Sequence, residues 1–391
     1  MMVEFFAIAT CGKYRETSRH FSAPGRTEIS GNHTDHQHGC VLAAAVNLET
    51  VAEVCLLEEY VIRIYSEGYP PVEIDLNDLS IHEEEKNTTA ALVRGVAAAF
   101  AERGAKLNGF LAKVKSTVLP GSGLSSSAAF EVLIGTIINE LFFEKKLTAV
   151  EIAQIGQWAE NVYFGKPCGL MDQTASSVGG MVFIDFADPR NPIVEKLDFD
   201  FEKAGYALCI IDCGADHANL TGEYAAIPGE LKQLCAFFGK EVLRDIPEEE
   251  FFAKLPAIRH KVSDRAILRA IHFYKENFRV QRQAAALKEN DFDTFLQLVK
   301  ESGRSSWMYL QNITPAGYIE HQDMALALAM CDTLLAGRGA FRVHGGGFAG
   351  TVQAFVPTDM LDAFKEGIEA VFGKNSCHVL FVRQEGGIRV K

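Results

Sequence analysis

The chain has 391 residues, of which 48% are hydrophobic and 23% are charged, and this composition is typical of a globular protein with a large core. Its formal net charge is −13, from 38 basic and 51 acidic residues, and it contains no basic run. Nucleic-acid binding is therefore not expected, because phosphate contacts need clustered lysine and arginine. No apolar run is long enough to predict a membrane span.

The cysteines and the N-terminal residues indicate the cellular compartment in which the protein is expected. The nine cysteines form no CxxC pair, and an odd count in a long chain is typical of reduced, mostly buried thiols in a cytoplasmic protein. Residues 1–15 include a short apolar run but no basic start and no small-residue cleavage site, so we expect no signal peptide.

Hydrophobic patterning predicts the elements of the first half. We expect strands at 3–10, 40–46, 50–57, 60–65 and 109–118. We expect helices at 89–103, 130–143 and 149–163. Thr148 and Glu151 form a capping box at the start of the last helix. Loops are expected in the segments rich in turn-forming or polar residues, at 21–38, 68–82 and 164–172.

A turn cluster, ADPRNP at 187–192, follows a short predicted helix and a strand at 181–186. We take this cluster as the boundary between two domains, 1–187 and 188–391. Beyond it, strands are expected at 206–212, 341–344, 352–356 and 378–382. Helices are expected at 221–239, 264–302, 316–336 and 358–372. Strand–helix–strand segments in both halves predict an α+β fold.

The stretch PGSGLSSSAA at 120–129 has the composition of a phosphate-binding loop. Its two glycines let the backbone approach a ligand. Its three serines offer hydroxyl and N–H groups at the start of a helix, where an anion is favoured. No lysine precedes the serines, and Ser126 replaces the last glycine of a GxGxxG pattern, so this is neither of the two common phosphate loops. The alternative is a Gly/Ser turn that binds nothing.

The segment APGRTEISGNHTDHQHG at 23–39 carries short polar side chains of the kind that bind polyols, notably Asn32, His33 and Asp35. Its three histidines could instead suggest a metal site, although no cysteine accompanies them. The remaining alternative is a polar surface loop.

Two acidic residues and a glycine-dense turn complete the candidate groups. Asp172 follows a glycine turn amid apolar residues, where it could hold a substrate hydroxyl or simply cap a helix. Glu160 lies near the end of an apolar helix, where it could bind a cation or be an exposed charge. The turn HGGGFAG at 344–350 could pack closely against a loop or a phosphate.

Taken together, these segments resemble the three motifs of the GHMP small-molecule kinases. The matches are Gly25-Arg26 with His33-Thr34-Asp35, the pattern PxxGLSSSAA at 120–129 and the pattern GGGFxG at 345–350. Within that superfamily, PGR and HTD together with CGLMDQ at 168–173 resemble galactokinase. The motifs run from residue 23 to about 350, so the resemblance covers most of the chain.

The resemblance implies the two-domain α+β GHMP kinase architecture, with the active site in the interdomain cleft. It assigns Asp172 as the catalytic carboxylate, Arg26 as its cationic partner, and Ser127 and Glu160 as Mg²⁺ ligands. The ATP phosphates would lie on Gly121, Ser122, Gly123, Leu124, Ser125, Ser126 and Ser127. The sugar would contact Asn32, His33, Thr34, Asp35, Gly169 and Tyr224.

These roles agree with the chemistry of phosphoryl transfer, which depends mostly on positioning and charge neutralisation. A carboxylate can accept the proton of the attacking hydroxyl, and an arginine beside it keeps it ionised. The expected function is therefore ATP-dependent phosphorylation of the C1 hydroxyl of D-galactose, giving galactose 1-phosphate. The expected partners are ATP, Mg²⁺ and a small sugar, with no nucleic acid or membrane, for a cytoplasmic monomer or weak homo-oligomer.

The sequence departs from the family at the sugar segment, where galactokinases usually read GRVNLIGEHTDYNGG. Asn32 replaces the glutamate that contacts the 6-position of the sugar, and Ile227-Pro228 replace an arginine pair that follows the sugar-site tyrosine. Galacturonate is therefore an alternative substrate, since its 6-carboxylate would tolerate an amide there, and N-acetylgalactosamine is another. A non-catalytic sugar sensor is a third interpretation, which the intact SSSAA sequence at 125–129 disfavours.

Overall fold

We describe residues 18–118, 123–214, 220–348 and 350–390 of a computed structural model. Two antiparallel-rich sheets dominate them. The larger sheet has eight strands in the order β12-β1-β2-β5-β3-β4, and β6 and β7 extend it from β2. Its strands are β1 (Arg19–Ser30), β2 (Cys40–Leu56), β3 (Val61–Ser66), β4 (Val72–Asp75), β5 (Phe110–Ser116), β6 (Met181–Asp185), β7 (Ile193–Leu197) and β12 (Ile388–Val390).

The smaller sheet has four strands in the order β11-β8-β10-β9, all paired antiparallel. They are β8 (Tyr206–Asp212), β9 (Ala340–His344), β10 (Thr351–Pro357) and β11 (Cys377–Leu380). The helices of the first half are α1 (Thr89–Glu102), α2 (Ser126–Phe142), α3 (Ala149–Trp158) and α4 (Met171–Val178). Those of the second half are α5 (Thr221–Phe237), α6 (Glu248–Ile258), α7 (Asp264–Lys288), α8 (Phe292–Ser305), α9 (Asp323–Leu335) and α10 (Leu361–Phe372).

Three of the apolar clusters in the described residues pack helices against the two sheets. The first lies between the larger sheet and α1 and α2, which bury their Ala-, Val- and Ile-rich faces there. The second joins the larger sheet to the smaller one and to α7 and α8, through residues such as Leu42, Leu208 and Phe355. The third covers the other face of the smaller sheet with α9 and α10. Burial of this apolar surface is the main stabilising term.

The structure corrects the prediction that residues 21–38 form one long loop. Residues 21–30 belong to β1, which pairs with β2 and has register shifts between Pro24 and Arg26 and between Glu28 and Ser30. From Ser22 onwards this strand is buried almost throughout, so it lacks the polar alternation that identifies a half-buried strand. Its Pro and Gly residues also suggested a loop.

Smaller differences concern the strands. The two strands predicted at 40–46 and 50–57 are one continuous strand, β2, and the predicted loop at 68–82 contains β4. The short strand β12 was not predicted; it is held by pairing with β1. The strand expected at 3–10 lies outside the described residues. The capping box at Thr148 and Glu151 is present, with both of its hydrogen bonds formed.

The turn taken as the domain boundary lies inside a hairpin. β6 and β7 pair across residues 187–192, from Met181 with Leu197 to Asp185 with Ile193. The larger sheet therefore continues to Leu197, ten residues beyond the predicted boundary.

Among the described residues, seven cysteines are free thiols, and six of these are buried. Within the described ranges, no helix is both long and apolar enough to cross a membrane.

Candidate active site

An arginine–carboxylate pair lies where the larger sheet meets α4. Arg26 follows the first register shift of β1, and Asp172 is the second residue of α4. The two side chains form a two-point contact, with Nε to Oδ1 at 2.7 Å and Nη2 to Oδ2 at 2.6 Å. Arg26 is only 7% exposed, whereas the Asp172 side chain is 29% exposed and can meet a ligand. Arg26 thus fixes one side of the Asp172 carboxylate, and the other side is open to a ligand.

The pair is joined to the loop that precedes α2. The Ser125 hydroxyl donates to Asp172 Oδ2 at 2.6 Å, and Arg26 Nη1 donates to the carbonyl oxygen of Gly123. Burial works to raise the pKa of Asp172. The charge and hydrogen bonds of Arg26 and the Ser125 hydroxyl outweigh it, so the pKa lies below its ordinary value. Asp172 is therefore an ionised carboxylate at neutral pH.

The described part of the serine-rich loop has the geometry of an anion cradle. Gly123 and Ser125 both adopt left-handed backbone conformations, with φ of 72° and 57°. A Cβ on Gly123 would lie 3.0 Å from Thr351 Oγ1 and 3.1 Å from His344 Nδ1, and the positive φ would strain any other residue, so this position favours glycine. The Arg26 amide donates to the Leu124 carbonyl at 3.0 Å, which ties the loop to β1. Gly121 and Ser122 lie outside the described residues.

The predicted metal ligands are close together. Ser127 Oγ donates to Glu160 Oε1 at 3.4 Å, and Lys166 Nζ lies 3.4 Å from the same oxygen. Glu160 lies on a π-helical turn, Ala159–Phe164, that continues α3, and it is only 3% exposed. The alternative of an exposed helix charge is therefore wrong.

A second buried carboxylate, Glu131 of α2, lies beside Glu160. Gln173 Nε2 donates to both, at 3.0 Å to Glu131 and 2.9 Å to Glu160. Burial and the neighbouring Glu160 charge raise the pKa of Glu131 well above its ordinary value. Its Oε1 is buried without a hydrogen-bond partner among the described residues.

This donor set of a serine hydroxyl and two carboxylates fits a hard divalent cation. In the part of the chain that the structure describes, however, no group of three or more His, Cys, Asp or Glu side chains could hold a metal ion by itself. Phosphate oxygens of a nucleotide would have to complete the coordination.

The HTD segment meets α4 from the other side. A Cβ on Gly169 would lie 1.9 Å from Asp35 Oδ2, so the absence of a side chain at 169 lets Asp35 occupy its place. Burial raises the pKa of Asp35, while the charges of His33 and Arg26 oppose that shift and the charge of Asp172 adds to it. Asp35, Arg26 and Asp172 therefore belong to one electrostatic cluster.

The histidines of this segment bond to each other and to the glycine-dense turn. His33 Nε2 lies 2.9 Å from the Gly346 carbonyl and therefore donates to it, and His33 Nδ1 lies 3.1 Å from His36 Nε2. Burial and the His33 charge lower the pKa of His36 to about 3, so His36 is neutral. Nothing in this arrangement favours a metal site of three histidines.

Asn32 is fully buried, and its amide joins three segments. Its Nδ2 donates to Glu28 Oε1 at 3.1 Å and to the Gly345 carbonyl at 2.5 Å, and its Oδ1 accepts from Asn312 Nδ2 at 2.7 Å. The side chain that was predicted to contact a sugar is thus engaged in fixing the loop.

Thr34 and Tyr224 also have structural partners. The Thr34 hydroxyl bonds to the carbonyls of Gly31 and Cys40 at 2.8 and 2.7 Å. Tyr224 OH donates to the Gly347 carbonyl at 2.7 Å, and its ring meets Phe348 edge-on at 5.5 Å. Three of the predicted sugar residues, Asn32, His33 and Tyr224, therefore bond to the turn at 345–348.

Several residues of this site were not predicted. Glu28, Gln173 and Asn312 are buried and bond to a predicted residue, and the exposed Lys166 pairs with Glu160. Glu131 and His344 are buried one bond further away, on Gln173 and on Thr27 and Glu28. Gln173 could have been found because it ends the CGLMDQ match. Glu131 could have been noticed as the only charged residue between 126 and 139 in an apolar helix. His344 begins the glycine-dense turn at 344–350, whereas Asn312 has no such sequence signal.

Comparison with known proteins agrees with this geometry. Residues 11–55 match the galactokinase galactose-binding signature, and residues 91–180 match the GHMP kinases N terminal domain. The galactokinase of Streptomyces coelicolor is 31% identical over 354 residues, covering 90% of this chain and 88% of that protein. The chain belongs to the galactokinase family.

Other relatives support the same family and fold. The galactokinase of Glaesserella parasuis is 30% identical over 361 residues, covering 90% of this chain and 89% of that protein. The crystal structure of Lactococcus lactis galactokinase, solved with galactose, superposes with a TM-score of 0.84 at 24% identity and covers 100% of this chain and 99% of that one. Mevalonate kinase of Methanococcus jannaschii has the same fold, with a TM-score of 0.66 at 13% identity, and covers 94% of this chain and 99% of that one. The α+β GHMP kinase fold that the motifs predicted is confirmed.

Proposed function

We propose that this galactokinase-family protein transfers the γ-phosphate of ATP to the C1 hydroxyl of D-galactose, giving galactose 1-phosphate and ADP. The observation that supports this most is the position of Asp172, held by Arg26 at two points and by Ser125 from the serine-rich loop. One exposed carboxylate edge thus lies beside both the phosphate loop and the segment that carries Asp35.

In this proposal the C1 oxygen forms a bond to the γ-phosphorus while the bond to the ADP oxygen breaks. The hydroxyl proton passes to Asp172. Because its pKa is lowered, Asp172 is a weak base, and its main contribution is to accept the hydroxyl hydrogen bond and orient the attacking oxygen. Arg26 offsets the negative charge that develops on the transferred group.

The ATP phosphates would lie on the loop from Gly121 to Ser127, where the N-terminus of α2 favours an anion. Ser127 and Glu160 would hold Mg²⁺, with Glu131 one hydrogen-bonded link behind them. When bound, the ion would supply charge neutralisation on the phosphates. The sugar would contact His33, Asp35, Gly169 and Tyr224. The predicted contacts Asn32 and Thr34 are fully buried and would act by fixing this segment behind the sugar.

We also propose that the chain is organised as two domains around this site. The boundary belongs after Leu197, because β6 and β7 form one hairpin. Cytoplasmic location and a monomer or weak homo-oligomer complete the proposal; light scattering after size exclusion tests the latter.

No structural observation favours galacturonate over galactose. His36 is neutral, and both ring nitrogens of His33 are already bonded, so neither offers a free cation to a 6-carboxylate. The sensor interpretation has no support either, since the arginine–aspartate pair and the Ser127–Glu160 contact are in place.

The test is ADP formation with galactose, galacturonic acid, N-acetylgalactosamine and glucose. We expect galactose to exceed galacturonate in kcat/KM by more than about 10-fold, or ~1.4 kcal/mol. A preference for galacturonate would overturn the substrate, and no turnover with any sugar would overturn the activity.

The same assay tests the role of Asp172. Asp172→Asn keeps the shape but cannot take a proton, so kcat should fall by roughly 10² to 10⁴-fold while ATP binding is retained. Asp188→Asn, at an exposed position in the β6–β7 turn, is the control and should behave as the unaltered protein. Unchanged turnover in Asp172→Asn would mean that the aspartate only begins α4.

A further inference from the structure

A cavity of about 460 Å³ lies away from the catalytic residues, between α8, α9, the start of β9 and the π-helical turn Ser306–Leu310. None of the residues assigned above to catalysis, phosphate or sugar lines it. Its volume is within the range of small-molecule sites in proteins, about 300–1,000 Å³.

Positive charge is concentrated on its wall. Lys300, Arg304, Arg338 and Arg342 line the cavity against one acidic residue, Asp332, although the chain as a whole carries a net charge of −13. The sign of this local charge is opposite to that of the chain as a whole, and a small anion would complement it.

Two of these cations have little to neutralise them. Among the described residues, Arg304 has no ion-pair partner, and Lys300 bonds only to the Gly337 carbonyl at 3.1 Å. Arg338 pairs with Asp359, but both side chains are more than half exposed, so the pair stabilises little.

Arg342 provides a second, independent observation. It is fully buried; Nη2 donates to Glu28 at 2.6 Å and Nη1 to the Ile29 carbonyl at 2.9 Å. Its Nε, however, has no partner within the described part of the chain. A buried donor without an acceptor is costly, and this one belongs to a residue that lines the cavity.

The rest of the wall is apolar and includes an exposed aromatic ring. Trp307 is 50% exposed and Met308 is 58% exposed at the cavity, and Leu328 and Phe341 lie deeper. Large exposed apolar side chains beside a cavity often mark a binding site. An indole also offers a flat face on which a planar ring can stack.

We propose that this cavity is a second ligand site, which binds a small anion with a planar apolar body. The ring system stacks against Trp307, and the carboxylate, phosphate or sulfonate group lies among Lys300, Arg304 and Arg338. The proposal does not depend on the sugar that the protein phosphorylates.

The test uses 8-anilinonaphthalene-1-sulfonate as the probe and N-phenyl-1-naphthylamine, the same ring system without the sulfonate, as the matched neutral compound. The chain contains only two tryptophans, Trp158 and Trp307, so quenching can be assigned to one of them. We expect saturable quenching at one probe per chain in Trp158→Phe and its loss in Trp307→Phe. The neutral compound should bind at least about 10-fold more weakly, or ~1.4 kcal/mol.

Charge variants complete the test. Lys300→Gln and Arg304→Gln should each weaken sulfonate binding several-fold and together at least about 10-fold. Arg282→Gln, exposed on α7 and outside the cavity, is the control and should bind as the unaltered protein. Equal affinity for the neutral compound, or full binding in the Lys300/Arg304 double variant, would overturn the proposal, whatever the outcome of the sugar assays.

Discussion

Asp172 shows how a single side chain is tuned by its surroundings. Burial alone would raise its pKa, yet the charge and hydrogen bonds of Arg26 and one hydroxyl, from Ser125, reverse the direction. A carboxylate whose folded pKa is lowered adds stability above its unfolded pKa of about 3.8, and this stability is lost as the pH falls through the folded value. The Asp172 carboxylate is therefore ionised at every pH near neutrality.

Ser125→Ala should move the pH profile of the enzyme. Removing the hydroxyl takes away one bond to the charged form, so the pKa of Asp172 rises and the acid limb of kcat/KM shifts to higher pH. The measurement is a pH–rate series with galactose. Ser126→Ala, which removes a neighbouring hydroxyl that has no bond to Asp172, is the control; an acid limb that shifts equally in both variants would contradict this account.

Glu28 and Asn32 exchange the amide and the carboxylate of the family pattern. In GRVNLIGEHTDYNGG, asparagine stands at the position of Glu28 and glutamate at that of Asn32. Here the two side chains are bonded at 3.1 Å, and the Glu28 carboxylate also pairs with Arg342 at 2.6 Å. The negative charge is thus kept and moved away from the sugar segment.

At the scale of elements, the start of α4 depends on a close approach that only glycine permits. Gly169→Ala should displace Asp35, because the new Cβ would lie 1.9 Å from its carboxylate oxygen. We expect the KM for sugar to rise by about 10-fold or more, corresponding to ~1.4 kcal/mol, with the KM for ATP nearly unchanged. Gly229→Ala, with open space around its Cβ position, is the control. A normal sugar KM in Gly169→Ala would show that Asp35 does not position the sugar.

Helix α3 carries Glu160 on its π-helical continuation, and its start is fixed by a capping box. Thr148→Ala should lower the free energy of unfolding by about 1 kcal/mol, since the Glu151 amide loses its acceptor. Urea denaturation measures this. Thr88→Ala is a matched control, because Thr88 also precedes a helix but caps no amide with its side chain. Equal losses in the two variants would rule out the capping contribution.

At the scale of the whole molecule, one buried ion pair connects the two sheets. Glu28 belongs to β1 of the larger sheet and Arg342 to β9 of the smaller one, and their side chains are 5% and 0% exposed. Such a pair gives little net stabilisation compared with apolar residues, but losing one partner leaves a buried charge without compensation.

Arg342→Leu should therefore lower the free energy of unfolding by roughly 3–5 kcal/mol. The double variant Glu28→Gln/Arg342→Leu should lower it by clearly less than Arg342→Leu alone, because no unpaired charge is left buried. Denaturant titrations of the two single variants and the double variant form a thermodynamic cycle. Losses that simply add would show that the two side chains are not coupled across the sheets.

The sequence predicted the long helices with a clear hydrophobic period well, and it predicted β1, which is buried on both faces, poorly. Helices such as α1 and the capped α3 have local signals that determine them. α1 was predicted nearly to the residue, and the helix predicted at 149–163 is α3 together with its π-helical continuation. β1 was taken for a loop because it is buried on both faces and contains a proline and a glycine. Its hydrogen bonds come from β2, the next strand along the chain, and from β12, which lies near the other end of the sequence and was not predicted.

The sequence by itself determined the family and the chemical groups, because the phosphate loop, the HTD segment and the aspartate of CGLMDQ are contiguous motifs. Only the tertiary structure decided what each group does. In the structure, Asn32 points inward and Glu160 is buried beside Glu131. Arg342 lies between the two sheets and also lines the cationic cavity. The physical reason is that charge, burial and hydrogen bonding depend on neighbours that the chain brings together from as far as 361 residues apart.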